Sequence, residues 1–155
     1  MIVYRIAKAV YAHDLSGAGA RAHAGRWNRK GTPIVYAASS PALATVEFLV
    51  HVDPVLQPPN LRLVFIEFPD SASSSAVDPA SLPEDWATYP APERLADIGT
   101  RWAESQQTLV LRFPSAVVVG DENILLNPAH PEFSTVRVAK ETVYAFDPRL
   151  LNRGK

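Results

Sequence analysis

The stretch from residue 25 to residue 51 reads Gly25-Arg-Trp-Asn-Arg-Lys-Gly-Thr-Pro-Ile-Val-Tyr-Ala-Ala-Ser-Ser-Pro-Ala-Leu-Ala-Thr-Val-Glu-Phe-Leu-Val-His51. Its middle, Pro33–Ala37, is a run of β-branched and aromatic residues, which predicts a strand. Ser39-Ser-Pro41 follows with a hydroxyl cap and a proline in the first turn, which is typical of a helix start. We expect this helix to cover residues 40–50 and to stop before Pro54. The stretch therefore predicts a strand followed directly by a helix.

Glu47 is the most informative position of the predicted helix. Leu43 lies four residues before it and Val50 three residues after it, so a helical register places the carboxylate on, or at the edge of, an apolar stripe. An ionised carboxylate is costly to bury without a partner, so Glu47 needs a cation or a pocket. The pattern leaves two interpretations open, a structural ion pair and a functional carboxylate.

Arg26 and Tyr36 are the other notable side chains of this stretch. The guanidinium of Arg26 offers a planar fork suited to phosphate or carboxylate, and Trp27 beside it adds an aromatic face. The alternative is an exposed arginine next to a core tryptophan. Tyr36, in the centre of the predicted strand, would ordinarily be a core or half-buried aromatic residue.

The rest of the chain predicts a mixture of strands and helices. Strands are expected at Ile2–Ile6, Leu61–Phe68, Thr108–Phe113, Ala116–Val119, Thr135–Val138 and Thr142–Phe146, with the third and fourth paired. A helix is expected from Pro92 to Ser105, a glycine-rich loop over 12–24, a proline-rich loop at 54–59, a long surface loop over 70–91, and a short turn or helical piece at 123–127. Strands and helices that do not alternate strictly predict an α+β fold, here a single domain over residues 1–155 with mixed β-sheets flanked by helices.

Composition excludes several classes of function. The chain has no cysteine, so it has no disulfides, cysteine metal sites or thiol nucleophile. Its net charge of −1 argues against sequence-independent nucleic-acid binding. No apolar run approaches the ~20 residues of a membrane span, and the first residues suggest a strand rather than a signal peptide, so we expect a cytoplasmic protein. The four histidines show no metal-ligand spacing, and dinucleotide-fold, P-loop and serine-elbow motifs are absent.

Two polar positions in the second half of the chain have both a structural and a functional interpretation. Ser115 lies between Pro114 and a predicted strand, where a hydroxyl usually caps a turn but can also bind a ligand. Asn127 opens the segment Asn127-Pro-Ala-His-Pro131, which carries an amide and an imidazole in a turn.

The combination of these residues resembles the RES domain, a family named for its characteristic Arg, Glu and Ser. Arg26, Tyr36 and Glu47 stand ten and eleven residues apart. Their context includes Asp14-Leu-Ser-Gly-Ala-Gly-Ala-Arg21 upstream, and Tyr4-Arg-Ile6 and Leu125-Leu-Asn-Pro-Ala-His-Pro131 are also similar to that family. The resemblance spans nearly the whole chain, although residues 70–106 carry no motif. The family's Arg, Tyr and Glu correspond to Arg26, Tyr36 and Glu47, its Ser to Ser115, and Asn127 is a further pocket candidate.

This resemblance implies a function. RES proteins are toxins of bacterial type II toxin–antitoxin pairs with a fold similar to ADP-ribosyltransferases, and they consume NAD by hydrolysis or phosphorolysis of its glycosidic bond. Some members transfer ADP-ribose to a protein. The partner is an Xre-like helix-turn-helix antitoxin whose C-terminal segment blocks the toxin's pocket, which implies a hetero-oligomer. NAD is then a consumed substrate, phosphate a possible co-substrate, and neither a cofactor nor a metal is expected.

The residue types suit that chemistry. Loss of nicotinamide builds positive charge at the anomeric carbon, and a carboxylate such as Glu47 can stabilise it or orient water. Arg26 can bind the pyrophosphate. Tyr36 and Trp27 can line the pocket, and Ser115 can bind the carboxamide or the ribose. Two alternatives remain open, an ADP-ribosyltransferase acting on a protein and a non-catalytic binding module of the same fold.

Overall fold

The computed structural model describes residues 1–52 and 58–151. These residues form seven strands and four helices: β1 Ile2–Lys8, α1 Ala18–Ala22, β2 Val35–Ala38, α2 Pro41–Leu49, β3 Leu61–Glu67, β4 Ser74–Ala76, α3 Glu93–Ser105, β5 Val110–Pro114, β6 Glu122–Leu126, β7 Arg137–Tyr144 and α4 Pro148–Leu151. Short 3-10 turns lie at Ala9–Tyr11, Pro79–Ser81 and Pro131–Thr135. The predicted α+β class is confirmed. The predicted proline-rich loop at 54–59 lies largely outside the described residues.

All seven strands belong to one mixed sheet, in the order β4-β5-β6-β2-β1-β3-β7. The β4–β5 pair is parallel, and the other pairs are antiparallel. Strand β2 lies between β1 and β6, so Ala38 pairs with Tyr4 on one side and with Asn123 on the other. Residues far apart in sequence therefore meet in the middle of the sheet.

The two faces of the sheet differ in how their apolar side chains are grouped. One face is wholly apolar in its centre, with a cluster that includes Val35, Val64 and Leu126. The opposite face carries two separate apolar clusters, one around Trp27 and α3, the other around Ile6 and α2. Because side chains alternate along a strand, Tyr36, Ala38 and Asn123 share this second face. The region between its two clusters contains the candidate site.

Helices α2 and α3 cover the second face. Helix α2 begins where the sequence predicted, with Ser40 as N-cap accepting a hydrogen bond from the backbone N–H of Leu43 at 3.1 Å. Helix α3 buries the predicted stripe at Leu95 and Trp102, while Ile98 is half-buried. No helix within the described residues is both long and apolar enough to cross a membrane.

The prediction for residues 116–127 was wrong. Val117 and Val118 lie in a turn rather than a strand, because their backbone N–H groups both donate to the hydroxyl of Ser115. The partner of β5 is instead β6, at Glu122–Leu126, where a turn or short helix was expected. A run of valines has high strand propensity, but the Ser115 cap and Gly120 at φ 92° close the chain into a connection.

Three further segments differ from the sequence prediction. The glycine-rich loop contains helix α1, and the two predicted C-terminal strands are one continuous strand, β7. The segment 70–91 was expected to be a surface loop, yet it contains β4, and Val77, Leu82 and Trp86 pack against the α3 cluster. The spacing of these apolar residues has neither the period of a strand nor that of a helix. Their packing against the sheet is therefore visible only in the folded structure.

Candidate active site

The motif Gly25-Arg-Trp-Asn28 organises one side of the site through the Tyr36 hydroxyl. That hydroxyl donates to Asn28 Oδ1 at 2.8 Å and accepts from the backbone N–H of Trp27 at 3.2 Å. The Asn28 amide in turn donates to the carbonyls of Ala20, His23 and Arg29. Burial raises the pKa of Tyr36, so its hydroxyl stays protonated. Tyr36 therefore presents a ring with a hydroxyl that is already committed to the protein.

Arg26 joins the motif to the segment before α3. Its guanidinium donates to the carbonyl of Trp86 and, at 3.0 Å, to that of Thr88. Burial lowers the pKa of Arg26, while the negative charge of Glu47 raises it. Arg26 remains a cation, as arginine does in proteins. A guanidinium has five N–H donors, so the two contacts leave others for an anion.

Glu47 is held from the opposite side by two buried polar side chains. Its Oε1 accepts a hydrogen bond from Ser115 Oγ at 2.7 Å and another from Asn123 Nδ2. Ser115 and Asn123 are 4% and 7% exposed, whereas Glu47 is half-buried. Within the described residues, no hydrogen bond reaches the second oxygen, Oε2. The carboxylate is therefore fixed through one oxygen and has the other available.

The structure brings Arg26, Tyr36, Glu47 and Ser115 into one neighbourhood. The charges of Glu47 and Arg26 interact, Tyr36 lies within the same electrostatic environment, and Ser115 bonds directly to Glu47. Within the described chain, Arg26 and Glu47 form no direct ion pair. A cation and a fixed carboxylate whose charges interact suit a ligand that has an anionic part and a part where positive charge develops.

Two residues of the expected site lie elsewhere. Trp27 is 1% exposed and packs on Phe113 with ring centroids 4.7 Å apart, so its ring belongs to the core. Asn127 is fully buried, donates to the carbonyl of Ala103 at 2.9 Å and accepts from the N–H of Ala129. It follows the far end of β6, about 13 Å from Asn123 at a strand rise of about 3.3 Å per residue. Both side chains have structural partners instead of facing Glu47.

Two depressions of the surface lie away from Glu47. One, of about 470 Å³, is lined by residues that include Ser16, Arg21 and Phe133, and another, of about 170 Å³, includes Asn127. Neither includes Arg26, Tyr36 or Glu47. Among the described residues, no group of three His, Cys, Asp or Glu side chains is arranged to hold a metal ion.

Comparison with known protein families finds a match to the RES domain over residues 2–147. The chain belongs to the RES domain family. It is similar to a protein named Prs ADP-ribosylating toxin from Sphingobium sp., at 43% identity, over 95% of this chain and 92% of that protein. It is also similar to Toxin Res of Yersinia enterocolitica, at 41% identity over 97% and 99% of the two chains, and to Toxin Res of Pseudomonas putida, at 40% over 91% and 94%.

A solved structure shares the RES fold seen in this chain. A chain of the Mycobacterium tuberculosis MbcT–MbcA toxin–antitoxin complex matches with a TM-score of 0.70 and 21% identity, covering 97% of this chain and 86% of that one. At this identity the likeness concerns the fold. It agrees with the mixed sheet and the helices described above.

Sequence analysis missed two polar residues of this RES domain, Asn28 and Asn123. The sequence predicts no role for Asn28, although its amide can form hydrogen bonds with several carbonyls and with a tyrosine at once. Asn123 was placed in a turn. The sequence feature that could have identified Asn123 is a single asparagine directly before the apolar residues Ile124-Leu-Leu126. A polar side chain next to buried strand residues needs a hydrogen-bonding partner.

Proposed function

We propose that this chain is the toxin of a toxin–antitoxin pair and that it cleaves the bond between nicotinamide and ribose in NAD. One observation carries the proposal: a carboxylate, Glu47, is held through Oε1 by Ser115 and Asn123, and its charge interacts with that of Arg26. Membership of the RES family and similarity to proteins named Toxin Res support it.

In the proposed reaction, the bond between the anomeric carbon and the nicotinamide nitrogen breaks, and its electron pair goes to that nitrogen. The leaving group is thereby neutral, and positive charge develops on the ribose. The second oxygen of Glu47 stabilises that charge and orients the water or phosphate that adds to the same carbon, and the proton that the added water loses passes to solvent. Arg26 binds the pyrophosphate with the donors that Trp86 and Thr88 do not use. Ser115 acts through Glu47, since its hydroxyl donates to that carboxylate and accepts from two backbone N–H groups.

Product analysis tests the activity. The purified protein is incubated with NAD, with and without phosphate, and the products are separated by chromatography. Nicotinamide with ADP-ribose indicates water as acceptor, and a phosphorylated ADP-ribose formed only in phosphate buffer indicates phosphorolysis. A folded protein that releases no nicotinamide would instead support the non-catalytic binding module.

Glu47→Gln is the decisive variant. The amide retains the shape of the side chain but carries no negative charge, so we expect nicotinamide release to fall at least about 100-fold while the fold is retained. The matched control is Glu67→Gln, which removes the same charge from an ion pair with Arg137. Turnover equal in the two variants would refute the role of Glu47.

A second candidate reaction is transfer of ADP-ribose to a protein. It is favoured by the 43% identity to a protein named Prs ADP-ribosylating toxin. Mass spectrometry of cell lysate incubated with this chain and NAD separates the two reactions, because only transfer adds an ADP-ribosyl group to a protein.

The proposed partner is an Xre-like antitoxin that covers the site. Segments next to the site expose large apolar side chains: Tyr89, which follows Thr88, is 86% exposed, and Val119, in the turn after Ser115, is fully exposed. In the proposed complex these two side chains are available for contact with the antitoxin. Expression of the chain alone should deplete cellular NAD and stop growth, and co-expression with a helix-turn-helix protein encoded beside it should restore both. Normal NAD levels under strong expression would contradict the toxin role.

A further inference from the structure

Asn123 contacts a residue of the candidate site, although it is not one of the Arg, Tyr, Glu and Ser positions of the family motif. Its amide donates to Glu47 Oε1, although the two residues lie 76 positions apart on β6 and α2. The side chain is 7% exposed and stands on the sheet face that carries Tyr36. An amide placed in a sheet interior is costly to bury unless it has a partner, and here that partner is the carboxylate.

The two donors to Glu47 approach from different elements and reach the same oxygen. Ser115 follows β5, and its hydroxyl is itself oriented by the N–H groups of Val117 and Val118. Asn123 is held by strand pairing with Ala38 on one side and Phe113 on the other. Glu47 is thus clamped between two rigid groups, which restricts both its rotamer and the oxygen that can serve another purpose.

We infer that Asn123 is a positioning residue that, together with Ser115, holds Glu47 through Oε1 and so presents Oε2 to the ribose of the substrate. This inference rests on the proposed function. The Asn123 amide donates to Glu47, so we expect its loss to change the rate of the chemical step more than substrate binding.

The kinetic test compares Asn123→Ala with a neighbour on the same strand. We expect Asn123→Ala to lower kcat by about 10- to 100-fold and to leave KM within about twofold. The control is Ile124→Val, a small change in a buried residue that faces the opposite side of the sheet. Equal kcat in Asn123→Ala and wild type would overturn the inference, as would a loss of activity proportional to the loss of folded protein. If Asn123→Ala does not fold, Asn123→Leu, which is close to asparagine in size and has no donor, is judged by the same criteria.

Asn123→Asp provides a readout that a purely structural role would not move. At neutral pH the new carboxylate repels Glu47, so activity should fall below that of Asn123→Ala. As the pH decreases, the introduced carboxyl takes up a proton and can donate the hydrogen bond that the amide donated. The activity of Asn123→Asp relative to wild type should therefore rise at low pH, and that of Asn123→Ala should not. Parallel pH profiles for the two variants would contradict the inference.

The contact is also measured without turnover, which separates this inference from the proposed function. In NMR spectra, the side-chain amide signals of Asn123 should shift when Glu47→Ala removes the acceptor, and those of Asn127 should not. An unmoved Asn123 signal overturns the inference even if the protein cleaves NAD. A wild-type protein that releases no nicotinamide refutes the proposed function, whereas an active wild type with an equally active, folded Asn123→Ala refutes only the inference.

Discussion

Gly25 shows at the scale of one residue why its motif has this composition. A side chain at position 25 would bring a Cβ atom to 2.7 Å from Asn28 Oδ1 and 3.1 Å from the Tyr36 hydroxyl. The absence of that atom lets the hydrogen bond between Asn28 and Tyr36 form. The four residues of the motif have four different roles. Gly25 leaves space, Arg26 carries a cation, Trp27 fills the core and Asn28 orients Tyr36.

The Tyr36 hydroxyl also gives a prediction for stability at high pH. Burial raises its pKa in the folded state above the usual value of about 10 in the unfolded chain. Above about pH 10 the folded protein keeps a proton that the unfolded chain releases, so stability present below this pH is lost as the pH rises. Relative to Tyr36→Phe, the wild type should lose up to about 1.4 kcal/mol of unfolding free energy per pH unit there. Urea unfolding of both proteins at pH 8 and pH 11 measures this, and a constant difference would disprove it.

At the scale of an element, helix α3 shows how the core holds the motif Gly25-Arg-Trp-Asn28 in place. Gly99 lies in the buried stripe of this helix, and a Cβ atom there would come within 1.9 Å of the Trp27 carbonyl oxygen. The helix backbone therefore lies directly against the backbone that carries Arg26. Thr100 adds a second contact, since its hydroxyl accepts from the N–H of Arg29 at 2.9 Å.

Gly99→Ala should therefore destabilise the protein, although alanine is usually the better helix former. We expect a loss of about 1–3 kcal/mol, because either the helix or the motif must move. Gly19→Ala in α1 is the matched control, since no atom lies within 4 Å of its new Cβ and helix propensity favours alanine by about 0.5–1 kcal/mol. Thermal or urea unfolding compares the two. Similar stabilities would mean that α3 does not pack on the motif.

The sheet determines the site at the scale of the whole molecule. Its order places β6 and β2 side by side between the two apolar clusters of one face, and the segment 83–90 reaches the same region through Arg26. Arg26 therefore has two tasks, to hold this segment and, in the proposed function, to bind the pyrophosphate.

Arg26→Ala should loosen the segment 83–90 as well as weaken NAD binding. Hydrogen exchange at the backbone amides of Trp86 and Thr88 should accelerate by about tenfold, which corresponds to about 1.4 kcal/mol. Arg94→Ala provides the comparison, because Arg94 also contacts this segment, at Asp85, but through an exposed pair that contributes about 0–1 kcal/mol. Equal protection in Arg26→Ala and wild type would show that the arginine does not tether the segment.

Local sequence was sufficient for β1, β2, β3 and for helices α2 and α3, because each has a clear periodicity or a recognisable cap. Local sequence left Arg26, Tyr36, Glu47 and Ser115 with both a structural and a functional interpretation, and the resemblance to the RES domain selected them as a set. It was insufficient for residues 116–127, where strand propensity and turn formation compete. There the Ser115 hydroxyl caps a local turn at Val117 and Val118, whereas its bond to Glu47 joins residues 68 positions apart and depends on the folded chain.

Strand pairing determines that Asn123 reaches Glu47 and that Asn127 lies at the far end of β6, away from Asn123. The core position of Trp27 follows from its packing against α3 and Phe113. The order of strands and their register are long-range properties, set by which apolar faces can be buried together, and no window of neighbouring residues contains them. The amino-acid sequence thus determined which side chains are available for chemistry. Their arrangement into one site depended on how β2, β6 and α2 pack against one another.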